Sequence, residues 1–120
     1  MGTPMAYKFV MMIRVQFVET PLFTDQVTAH LTDEQYSELQ SFMAENPEAG
    51  VVICQTGGLR KLRWADPASG RGKRGGNRVI YYYRSSHEQI IMLMMYGKSE
   101  QTDLNHAQKK QLAEIVNTWR

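Results

Sequence analysis

The sequence predicts an α+β domain in which helices pack against one face of a small, antiparallel-rich sheet, and three observations predict it. Two helix-start signals come early, three strand-like stretches with short connections follow, and an apolar helical stripe closes the chain. The chain has 120 residues, 42% hydrophobic and 22% charged, which suits a single core and is too apolar for a disordered chain. One domain is expected over residues 1–120, with residues 1–12 read as an extension that carries no chemistry.

The elements follow in order. Ile13 to Val18 alternates apolar and polar side chains as a half-buried strand does. Thr20 before Pro21 starts a short helix to His30, since proline at the first helical position has no N–H left unsatisfied. Thr32-Asp33-Glu34-Gln35 is a capping box, with two acids at the positive helix end, and opens a second helix to Glu45. Tyr36, Leu39 and Met43 recur there at helical spacing and are read as core. Asn46 to Gly50 ends it.

After Gly57-Gly58, the run Leu59 to Trp64 alternates, so Leu62 and Trp64 share one face while Lys61 and Arg63 share the other. Ser69 to Asn77 reads as a Gly/Arg/Lys loop, Arg78 to Tyr83 as a strand, Ser85 to Glu88 as a turn and Ile90 to Tyr96 as the next strand. Arg78, Ile80 and Tyr82 fall on one strand face, with Val79, Tyr81 and Tyr83 on the other. Asn105 caps a last helix on which Leu112, Ile115, Val116 and Trp119 form an apolar stripe. Helices on one side would leave the other sheet face to the basic side chains.

Charge divides along the chain. Val15 to Leu59 holds seven acids and no Lys or Arg, whereas Arg60 to Arg84 holds eight Lys/Arg against Asp66 alone. A basic concentration of this kind on an otherwise acidic chain is the footprint of a polyanion site, with phosphate backbones the first candidate. Lys61, Arg63, Arg78 and Lys98 can converge on one sheet face, because neighbouring strands bring side chains within about 5 Å. Arginine suits phosphate, since its planar fork donates two parallel hydrogen bonds. Fixed cations can also stabilise the added negative charge of a pentacovalent phosphorus. Arg60, Arg71, Lys73 and Arg74 would add backbone contacts, and Tyr82 a stacking surface. Glu100, Tyr82, Tyr96, Lys61 and Lys98 are the candidate proton carriers.

Other signals carry less. Gly70 to Gly76 is not a Walker loop, for it lacks Gly-Lys-Ser/Thr and runs into a strand. His30, His87 and His106 lie on separate elements, and the single Cys54 can form no internal disulfide, so neither a metal nor a cofactor is expected. The short apolar run Phe9 to Ile13 lacks the length and cleavage site of a secretory signal, and the seven-residue run Ile90 to Tyr96 is far shorter than the about 20 residues a membrane helix needs. The expected location is cytoplasmic, with no membrane partner.

The runs Gly57-Gly58-Leu59-Arg60-Lys61-Leu62-Arg63-Trp64, Gly70-Arg71-Gly72-Lys73-Arg74-Gly75-Gly76-Asn77-Arg78-Val79-Ile80-Tyr81-Tyr82-Tyr83, Tyr96-Gly97-Lys98-Ser99-Glu100 and Asp103-Leu104 together resemble HigB-type toxins of the RelE/ParE superfamily. The resemblance extends from Ile13 to the C-terminus. It implies a RelE-like fold and a bacterial toxin that cleaves mRNA on the ribosome. It also implies neutralisation by a HigA-type antitoxin with a helix-turn-helix domain, through which alone the toxin would meet operator DNA. Matched to the family pattern, Lys61, Arg63 and Arg78 would bind and polarise the scissile phosphate, and Lys98 lies in the family's Gly-Lys/Arg segment. Two positions depart from RelE itself: Ser99 replaces an arginine, and Leu104 falls near its C-terminal catalytic tyrosine. The expected activity is a metal-independent mRNA endoribonuclease. The alternatives are a ParE-like topoisomerase poison and a nucleic-acid-binding module without turnover.

Overall fold

A computed structural model of the chain describes residues 15–65 and 76–119. Strand β1 (Gln16–Glu19) leads into α1 (Pro21–His30) and α2 (Asp33–Glu45), then β2 (Val51–Val52), β3 (Leu59–Trp64), β4 (Asn77–Arg84), β5 (Gln89–Gly97) and α3 (His106–Thr118). The expected extension and Ile13 lie outside the described residues, as does most of the basic loop, including Arg71, Lys73 and Arg74.

Each helix begins where a short polar side chain satisfies backbone donors that the first turn leaves orphaned. The Thr20 hydroxyl accepts from the Phe23 amide at 3.1 Å. In α2, Thr32 Oγ1 accepts from Gln35 N at 3.2 Å while Gln35 Oε1 accepts from Thr32 N at 2.9 Å. In α3, Asn105 and Gln108 exchange the same pair at 2.8 and 3.0 Å. Such caps contribute about 1 kcal/mol each.

The five strands form one mixed sheet in the order β1-β5-β4-β3-β2, with β1 parallel to β5 and the other pairs antiparallel. β2 was not anticipated, since two residues carry no periodicity; it exists because Val51 and Val52 pair with Lys61 and Arg60. Between them the chain reverses through Gln55, Gly57 and Gly58 at φ of 60°, 78° and 112°.

The expectation that one sheet face stays open is wrong. Phe23, Val27 and Leu31 of the α1 segment, with Leu39 and Met43 of α2, bury Leu62, Val79, Tyr81 and Met92 on one face. Leu112 and Val116 of α3, with Leu104, bury Leu59, Ile80, Ile91 and Met94 on the other. The reason lies in β4 and β5. Arg78 to Tyr81 and Ile90 to Gly97 are buried at every position rather than at alternate ones. Strands apolar on both faces require cover on both. Burying a Leu or Val side chain is worth roughly 1.5–3 kcal/mol, so α3 gains most by covering the second face.

A bulge in β5 then decides which side chains share a face. Ile80 pairs with Met94 and Tyr81 with Met92, which leaves Leu93 as the extra residue. Leu93 and Met94 consequently join the same apolar cluster beneath α3. Past the bulge the alternation is shifted by one, so Tyr96 joins that face and Met95 the opposite one.

Candidate functional site

The α3-side face is polarised along its strands. Leu59, Tyr82 and Ile91 form a cross-strand row that packs with α3. Next comes Lys61, Ile80 and Met94, and then Arg63, Arg78 and Tyr96. The first row is apolar, whereas Lys61, Arg63 and Arg78 bring charge into the next two, toward the end where β5 passes into Lys98, even though Ile80, Met94 and Tyr96 belong to the same α3-side cluster. Lys61, Arg63, Arg78 and Tyr96 are thus brought together by register alone.

Their environments differ. Arg63 is exposed, and its side chain makes no hydrogen bond or ion pair among the described residues. Arg78 is only 5% exposed, and its Nη1 donates to the Gly76 carbonyl at 3.1 Å. That carbonyl also accepts from the Lys98 amide at 3.3 Å, which ties the entry of β4 to the exit of β5. Gly76 makes the approach possible, since a Cβ there would stand 2.3 Å from the Trp64 carbonyl oxygen. The Lys98 side chain is exposed.

Tyr96 is 2% exposed, and its hydroxyl has no hydrogen-bond partner among the described residues. Burial, reinforced by the nearby Asp103 charge and opposed by Arg78, raises its pKa, so the phenol keeps its proton and remains a donor. A buried donor without an acceptor is costly to the fold.

Asp103 is the residue that sequence reasoning missed. Its Oδ1 lies 3.4 Å from Lys61 Nζ and accepts from the Leu104 amide at 2.8 Å. The Leu104 N–H chiefly holds its carboxyl below the usual carboxylate range, with Lys61 and Lys109 assisting against partial burial. The signal was its place immediately before the capped start of α3, where buried Leu104 anchors the backbone.

Three expected site residues stand apart. Glu100 Oε1 accepts from the Gly97 amide at 2.6 Å and lies 2.9 Å from Nε2 of His30, the last residue of α1. A Cβ on Gly97 would meet Glu100, His30 and Asn77, which puts this carboxylate on the α1 side of the sheet, away from the arginine row. Arg60 donates to the Glu48 and Gly50 carbonyls at 3.0 and 2.9 Å and pins the turn before β2. Tyr82 is half-buried and packs into the α3-side core.

Chemically, the end of this face gathers exposed Arg63, half-buried Lys61, buried Arg78, a protonated phenol and the Asp103 carboxylate. No protein-family model matches the chain. Among the described residues no group of three or more His, Cys, Asp or Glu could hold a metal ion, and no helix is long and apolar enough to cross a membrane.

Proposed function

We propose that the chain is the toxin of a toxin–antitoxin pair, a HigB-type member of the RelE/ParE superfamily with a RelE-like fold, which cuts translated mRNA on the ribosome in the cytoplasm. Its partners are the ribosome, mRNA and a HigA-type antitoxin that shields the basic end of the sheet. The observation that carries this reading is the row of Arg63, Arg78 and Tyr96, with Lys61 one step along β3 on the same face.

The chemistry follows from the groups in that row. The substrate's own 2′-oxygen attacks phosphorus in line as its proton passes to solvent water, the bond to the 5′-oxygen breaks, and that oxygen takes up a proton from solvent. The products are a 2′,3′-cyclic phosphate and a 5′-hydroxyl. Arg63, Arg78 and Lys61 stabilise the extra charge on the phosphoryl oxygens as it develops, and Tyr96 donates a hydrogen bond to it. Fixed cations supply this stabilisation without a metal.

A second reading, a ParE-like topoisomerase poison acting through surface contacts, draws on the burial of Arg78, which is 5% exposed. One experiment separates the two. Wild type, Arg78→Ala and Arg78→Lys are induced in bacteria and message ends are mapped. The wild type is expected to arrest growth and cut translated messages. Arg78→Ala loses cutting by about tenfold to a thousandfold, the scale of removing a transition-state charge donor, and Arg78→Lys retains part of it. Arrest with intact messages and trapped DNA breaks would favour the topoisomerase reading. RNA binding without cutting would leave only a binding module.

A further inference from the structure

Asp103 is the carboxylate that, among the described residues, pairs with a cation of the arginine face. Its Oδ1 serves two donors at once, the Leu104 amide at 2.8 Å and Lys61 Nζ at 3.4 Å. The first contact is short and local to the backbone. The second is longer than the roughly 2.7–2.9 Å of a strong charge-assisted hydrogen bond. The Asp103 side chain is 57% exposed and that of Lys61 25%, so solvent screens their attraction.

The two partners also differ in mobility. Asp103 cannot shift far, because Leu104 is buried and the Asn105–Gln108 capping box fixes the start of α3. A further brace comes from Gln101, whose Nε2 donates to the Asp103 carbonyl at 2.9 Å. Lys61 carries its charge on a flexible four-carbon stem. Lys61 can therefore leave Asp103 while Asp103 keeps its backbone hydrogen bond.

We propose that Asp103 is a resident competitor for substrate phosphate: it neutralises Lys61 in the free protein, and a phosphodiester placed in the Arg63–Arg78 row takes Lys61 from it. The inference rests on the RNA-cleaving reading above and adds regulation of the same site. Its consequence is a raised threshold for binding. RNA met free in solution is held weakly, and RNA held in place by a larger assembly engages all three cations.

The test is a double-mutant cycle read by fluorescence anisotropy with a labelled 2′-O-methyl oligoribonucleotide, which binds but has no free 2′-hydroxyl to react. Asp103→Asn keeps an oxygen for the Leu104 amide and removes the charge, and Asp103→Ser serves as a second variant, with thermal unfolding to confirm that each is folded. Both are expected to bind about twofold to fivefold more tightly than wild type, the range an exposed ion pair corresponds to. In a Lys61→Gln background the same changes are expected to gain almost nothing. Equal gains in both backgrounds would show a general charge effect and overturn the proposal. Unchanged binding by the variants of a protein that still cuts messages would overturn it alone, and no binding by any form would overturn it together with the reading it rests on.

Discussion

Arg63 on β3 and Arg78 on β4 stand directly opposite each other in the antiparallel register, and Tyr96 continues the row on β5. Side chains so paired lie about 5 Å apart, close enough for like charges to destabilise the sheet. Such a pair is a cost to the fold that an anionic ligand relieves. Arg63→Gln is therefore expected to raise stability by about 0.2–1 kcal/mol while weakening RNA cleavage. Urea denaturation at low salt reads the first effect, which should shrink at high salt as screening grows. A variant that is both less stable and fully active would contradict the assignment.

Tyr81 closes the turn between α2 and β2 from below. Its hydroxyl donates to the Pro47 carbonyl at 2.8 Å and accepts from the Gly50 amide at 2.9 Å. Tyr81→Phe leaves a buried amide and a carbonyl without this partner, which is expected to cost about 1–3 kcal/mol. Equilibrium unfolding measures that loss directly. Because Tyr81 faces α1 and α2 rather than the arginine row, the folded fraction should keep its RNA affinity.

Alkaline pH should unfold the protein through its tyrosines. Burial, together with the hydrogen bond and charge of Glu19 at 2.5 Å, raises the pKa of Tyr36, and burial also raises those of Tyr81 and Tyr96. In the unfolded chain these phenols ionise near pH 10. The folded chain holds their protons beyond that point, so their contribution is fully present below about pH 10 and is lost as pH rises toward the folded values. Absorbance of ionised tyrosine and circular dichroism should then change together above about pH 10, and Tyr36→Phe should flatten the pH dependence of stability. Phenol ionisation well before loss of structure would reject this coupling.

Much of the local structure was legible from residue order. Thr20-Pro21, Thr32 with Gln35 and Asn105 mark all three helix starts, because a cap is a contact between residues three apart. The alternation of Leu59 to Trp64 put Lys61 and Arg63 on one face, as observed. The covering of that face was also written in the chain, in the unbroken apolar run Ile90 to Tyr96, whose lack of alternation means burial on both sides. The position of Glu100 was not legible, because a loop residue has no periodicity to orient it, and the structure turns it toward His30.

By itself, then, the sequence determined an α+β chain with three capped helices and a basic strand face, since these depend on neighbours within a few positions. Only the tertiary structure decided that α3 crosses to the far side of the sheet, that the bulge at Leu93 turns Tyr96 toward Arg78, and that Asp103 reaches Lys61. Those relationships join residues distant in the chain, and they arise where burying the second apolar face of the sheet outweighs any local preference.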